Sequence, residues 1–157
     1  MKHAPYESEI LRRMAPGVLS RAGFLGSDVR SLQEILDTDR STVQSLGLTH
    51  ERIADCLDEA ARAALAALGR PVDLAGGRLR AVYCEAMGLI PCPWADGTRR
   101  PKGELLVTEP ARGRQLRYTP LSVHMIRRHG FYEGRGSTYR LDPALVADIF
   151  RLEAEPG

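Results

Sequence analysis

Apolar residues along this chain recur at helical spacing in the first half and, past Pro71, at every second position. The first 27 residues show only weak periodicity. Within them the run 14–28, where Pro16, Gly17, Gly23 and Gly26 interleave with Val18, Leu19, Phe24 and Leu25, predicts a loop pinned to a core. From Asp28, a natural helix cap, Leu32, Ile35 and Leu36 predict a short helix, and a second helical stretch over 40–46 should stop at Gly47. Thr49 caps the strongest element, a helix from about His50 to Leu68. Ile53, Leu57, Ala60, Ala64 and Leu68 form its apolar stripe, and Gly69 with Pro71 supplies the stop.

Beyond Pro71, Val72 and Leu74, then Leu79, Ala81 and Tyr83, alternate around Gly76-Gly77, which predicts a hairpin. Leu105 and Val107, then Leu116 and Tyr118, repeat the pattern around a Pro/Gly connection. Between the hairpins the run GLIPCPWADGTRRPKG, with three prolines and three glycines, should hold no regular structure over most of its length. Thr119-Pro120 and Asp142-Pro143 each place a cap before a proline, opening a helix to about His129 and another through LVADIFRLE. The expected fold is α+β: a helical N-terminal half, a small antiparallel sheet of two hairpins, and two C-terminal helices. One domain over 1–157 is expected, mainly helical over 1–70, with the hairpins, two helices and a basic character over 71–157.

Composition adds little to this picture: 157 residues with 43% hydrophobic content suit one globular core. No window approaches a membrane span, and the N-terminal stretch lacks the apolar run of a secretory signal, so a cytoplasmic protein with no membrane partner is expected. Three scattered cysteines, Cys56, Cys84 and Cys92, make a poor disulfide framework and fit a reducing compartment, as packing groups.

Charge changes the picture more. The net value is only +2, but residues 97–140 carry ten basic side chains against Glu104, Glu109 and Glu133, a local surplus of seven. Clustered guanidinium groups bind phosphates. The anion-binding residues expected on this ground are His124, Arg127, Arg128, Arg135 and Arg140, joined by Arg99, Arg100 and Lys102. The function they imply is that of a non-catalytic binding module for a polyanion, a nucleic-acid backbone or another phosphate, or else an acidic protein surface. The glycines of GFYEGRGST could turn several amides toward one anion. A phosphate loop, however, needs a preceding strand and a lysine, so the run reads instead as a surface connection. A helix-turn-helix over 41–57 meets a would-be recognition helix carrying Glu51, Asp55, Asp58 and Glu59, the wrong charge for DNA.

The run HMIRRHG also raises metal chemistry. Cys92 ahead of a hairpin and His124 and His129 on the next helix give a strand-strand-helix order that resembles, over roughly 84–129, the layout of the two-Cys, two-His zinc finger. The spacing departs from that family's: seven residues separate Cys84 from Cys92, and 31 separate Cys92 from His124. On a helical wheel the two histidines point about 140° apart, His129 toward the core and His124 with Arg127 and Arg128 on the solvent side. No metal and no cofactor are therefore assigned. Cys92, His124 and His129 stand as the lesser alternative, tied to a zinc- or thiol-dependent enzyme in which Cys92 or Ser122 would be the nucleophile. The main alternative to polyanion binding is a protein adaptor or homodimer acting through the helical half.

Overall fold

The computed structural model describes residues 5–156 and has the expected α+β architecture. Three helices come first: α1 Pro5–Met14, α2 Leu32–Ser45 and α3 His50–Ala66. Six strands follow, β1 Val72–Leu74, β2 Leu79–Cys84, β3 Leu89–Pro91, β4 Arg99–Pro101, β5 Glu104–Glu109 and β6 Arg114–Tyr118, and then α4 Pro120–His129 and α5 Pro143–Phe150. The two predicted hairpins share one antiparallel sheet in the order β1-β2-β5-β6, with Ala81 opposite Val107 and Val107 opposite Leu116. Among the described residues no helix is long and apolar enough to cross a membrane.

Strand alternation sets the core. Leu79, Ala81 and Tyr83 of β2, Leu105 and Val107 of β5, and Leu116 and Tyr118 of β6 all point to one buried face, over which α3 lays Ile53, Leu57, Ala60 and Ala64. The Tyr118 hydroxyl donates to the Leu57 carbonyl at 2.7 Å, fixing α3 on the sheet. A second apolar cluster joins Ile10 and Met14 of α1, Phe24 from the loop that follows, Leu32 and Ile35 of α2, and Ile90, Cys92, Leu121, Met125 and Phe131. Helix α4 lies between the two clusters, giving Val123 and Ile126 to the first and Leu121 and Met125 to the second.

Two sequence expectations are corrected, on α2 and on the end of α3, and two are refined. The N-terminal stretch, read as irregular or weakly helical, holds α1, whose Ile10 and Met14 are buried. The two short helices after Asp28 are one, α2, capped by Ser31. Asp28 instead accepts from Arg30 and from the Arg135 amide, and Asp39 continues the helix because Arg140 meets its buried carboxylate. The proline-rich run 88–103 contains the two-stranded ribbon β3-β4, in which Leu89 faces Pro101 and Pro91 faces Arg99. Its prolines sit at strand ends of an isolated pair, where a missing N–H breaks no larger ladder. Helix α3 stops before Leu68, which takes a left-handed φ of 53° and stands 88% exposed instead of completing the stripe.

Candidate metal centre

The link between β3 and β4 is a tight loop with its backbone bonds closed on itself. The Cys92 amide donates to the Thr98 carbonyl and the Ala95 amide to the Cys92 carbonyl, both at 2.9 Å. Asp96 accepts the Thr98 amide on Oδ1 at 3.0 Å, an Asx turn that leaves Oδ2 for other partners. Pro91 and Pro93 fix the backbone on either side of Cys92, and Arg13 of α1 donates to the Pro93 carbonyl. The thiol and the carboxylate are thus held by the loop's own sequence.

Helix α4 brings the imidazoles. Thr119 and Ser122 form a reciprocal capping box at its start, and Gly130, left-handed at φ 63°, ends it, so His129 is its last residue. Nε2 of His124 lies 2.7 Å, and Nε2 of His129 2.8 Å, from the same Asp96 Oδ2. Trp94 stacks flat on His129, centroids 4.2 Å apart, and meets Phe131 edge-on at 5.3 Å. One donor atom from each of Cys92, Asp96, His124 and His129 lies within 4.8 Å of the other three.

The wheel argument against the histidine pair is therefore corrected. It compares Cα directions, whereas the loop lies along the helix flank between the two positions and each ring swings toward it, the rings ending 5.5 Å apart and nearly perpendicular. Nor does His124 face solvent: its side chain is 9% exposed, that of His129 17%. Asp96 was not among the sequence candidates. The signal for it was a Cys-x3-Asp spacing inside a loop whose composition suggested only irregularity.

The donors suit a divalent transition metal. Zinc takes thiolate, imidazole and carboxylate ligands at about 2.0–2.3 Å in a tetrahedron, which sets donor atoms roughly 3.3–3.8 Å apart. The two imidazole-carboxylate separations would open by about half an ångström to admit the ion. Burial pushes the Cys92 thiol up to about 12, with Asp96 adding to the effect against the Trp94 amide. Burial thus disfavours the free thiolate, whereas a bound cation deprotonates such a group outright. Burial opposes ionisation of Asp96, but hydrogen bonds from His129, the Thr98 amide and His124 outweigh it and hold the carboxyl below its usual range. Burial also lowers His129, favouring the neutral imidazole that a metal needs.

Of the residues expected to bind anions, Arg100, His124, Arg127 and Arg128 line one groove, and Arg135 and Arg140 do not. Arg140 turns inward to clasp Asp39 through both terminal nitrogens, at 2.5 and 2.9 Å, and the Glu133 carbonyl at 2.9 Å. Arg127 reaches Asp55 at 2.6 Å, and Arg117 reaches Glu104 at 2.6 Å. Arg135 is exposed, and its amide and carbonyl are bound to Asp28 and Ser27. The glycine run around it is tied down as well: the Gly134 amide donates to the Phe24 carbonyl and the Ser137 amide to the Gly134 carbonyl. Arg99, Arg100 and Lys102 are exposed, and among the described residues no carboxylate pairs with them or with Arg128. Arg100, Arg127, Arg128 and Arg62 share a groove of about 630 Å³ with His124, Asp55 and Asp58, beside the donor cluster. Comparison with family models, curated proteins and solved structures finds no match.

Proposed function

We propose that the chain is a zinc-holding binding module in which Cys92, Asp96, His124 and His129 take one ion. The observation that carries this reading is the convergence of four donor atoms within 4.8 Å, from a loop and a helix that the rest of the fold holds independently. Four protein donors fill a tetrahedron and leave no open position for a substrate, which supports a structural ion over a catalytic one. Arg13 on the Pro93 carbonyl and Trp94 on His129 supply the outer support that metal ligands need. A reducing, cytoplasmic setting belongs to this reading, since it keeps Cys92 available.

The purpose of such an ion is to fix the β3-β4 ribbon against α4. That brings Arg100 on the ribbon next to Arg128 on the helix, along the groove that His124 lines. The ligand this surface fits is a polyanion, a nucleic-acid backbone or another extended phosphate, met by the cations left without a described carboxylate. Elemental analysis of protein purified without chelator tests the metal. One zinc per chain, lost in both His129→Ala and Cys92→Ser, is expected; metal-free protein that also fails to take up added zinc contradicts it. For the polyanion, affinity for single-stranded RNA should fall steeply with added salt and weaken in Arg100→Ala/Arg128→Ala. No binding at low salt would remove that half of the reading while leaving the ion untouched.

A further inference from the structure

A second cavity of about 310 Å³ lies away from the donor cluster and shares no residue with it. Its apolar wall is Phe24 before α2, Ile90 on β3 and Leu121 on α4, and its polar groups include Glu133, Lys102 and Tyr139. Pockets of this size suit a small ligand that is mostly enclosed.

Glu133 is the unusual member. It is only 3% exposed, and its backbone sits at φ 68°, a left-handed conformation that non-glycine residues rarely adopt. Neighbours over-determine that geometry: Arg140 donates to its carbonyl at 2.9 Å, and the next amide, of Gly134, donates to the Phe24 carbonyl at 2.9 Å. A side chain added at Gly134 would come within 2.3 Å of the Leu25 carbonyl oxygen, so the strained turn cannot slide along the chain. One carboxyl oxygen accepts from the Ser137 hydroxyl at 2.6 Å. The other has no hydrogen-bond donor among the described residues, and Arg140 spends its guanidinium on Asp39 and on the Glu133 carbonyl. Glu133 lines the cavity, and among the described residues no cation pairs with its carboxyl group, so that group is open to a donor from a ligand.

At the cavity mouth the sign is opposite. Lys102 and Arg21 are exposed, line the cavity, and pair with no carboxylate among the described residues. From the floor outward the site therefore offers a carboxyl acceptor, an apolar wall and a cationic rim.

We infer that this cavity binds a small zwitterion of the class of a free hydrophobic α-amino acid, its ammonium on Glu133, its side chain against Phe24, Ile90 and Leu121, and its carboxylate toward Lys102. The chemistry that recognises the ligand is paired at both ends, so a molecule with only one charged end satisfies only half of it. Binding is expected to be non-covalent, with no bond made or broken.

The test is calorimetric titration of the full chain with L-leucine and L-phenylalanine, alongside isoamylamine and isovalerate as single-ended probes. Saturable millimolar or tighter binding of at least one amino acid is expected. Each single-ended probe should bind about tenfold or more weakly, matching loss of one charge-assisted contact. Glu133→Gln keeps the shape of the side chain and the Ser137 contact, and Lys102→Ala removes an exposed group; each should weaken the amino acid by about tenfold while leaving the circular dichroism spectrum unchanged. Failure of both amino acids to bind at millimolar concentration overturns the inference, as does an amine or acid that binds as well as the amino acid, or affinity unchanged in both variants. Zinc content, measured on the same samples, reports separately on the donor cluster.

Discussion

Glu133 is where a single residue should be most visible in solution. Burial raises its carboxyl to about 7, with the Ser137 hydroxyl and Arg140 acting against that shift. An acid whose folded value lies above its unfolded value of 4.5 is bound to its proton more tightly in the native state. Its contribution is fully present below about pH 4.5 and is lost as pH rises toward about 7. The loss is on the order of 3 kcal/mol as an upper bound. Urea unfolding of Glu133→Gln against wild type should show the variant relatively more stable at pH 8 than at pH 5; equal differences at the two pH values would show that Glu133 titrates normally. Arg140 works in the opposite sense. Its two bonds to the buried Asp39 carboxylate mean that Arg140→Ala strands a charge, at a cost of about 3–5 kcal/mol. A urea midpoint within error of wild type would contradict that placement.

Among the elements, α4 carries the most consequence because it faces both apolar clusters and brings two of the four donors. Its capping box is local and separable from the ion. Thr119→Ala should cost about 1 kcal/mol in thermal or urea unfolding and leave zinc content unchanged. Loss of zinc in that variant would mean that the helix start, and not the donor set, governs the site. This helix was legible in the sequence because its cap, its proline and Gly130 are all local signals. The ribbon beside it was not legible: Pro91 and Pro101 argue against strands unless the pair is known to stand apart from the main sheet. For the same reason Asp96 was invisible, since its role depends on a turn that only the ribbon creates. Arg127 and Arg140 were legible as basic, but their partners Asp55 and Asp39, more than seventy residues away in the chain, were not. Pairs formed over such separations leave no periodic trace.

At the scale of the molecule, the ion would tie the second apolar cluster together. Cys92 belongs to that cluster through the β3-β4 loop, and α4 supplies Leu121 and Met125 to it. Removing a ligand that binds only the native state costs about 4 kcal/mol when the ion is present at a thousand times its dissociation constant. For a chain of this length that corresponds to a fall in Tm on the order of 10 °C on stripping with a chelator. Restoration by added zinc, and not by magnesium, is expected from a sulfur and imidazole donor set. A Tm that chelation leaves unmoved would deny the ion any structural part. Trp94, the chain's one tryptophan, stacks on His129 and so reports the same event by fluorescence.

The donor set itself is tested most directly by loading the chain with Co(II) and recording the absorption spectrum. The account predicts the intense visible bands of a tetrahedral cobalt ion at one per chain. A sulfur-to-cobalt charge-transfer band should accompany them and disappear in Cys92→Ser, and both features should be lost in His124→Ala/His129→Ala. Weak octahedral bands, or a tetrahedral spectrum that Cys92→Ser and the double histidine variant both leave intact, would contradict a site built from Cys92, Asp96, His124 and His129.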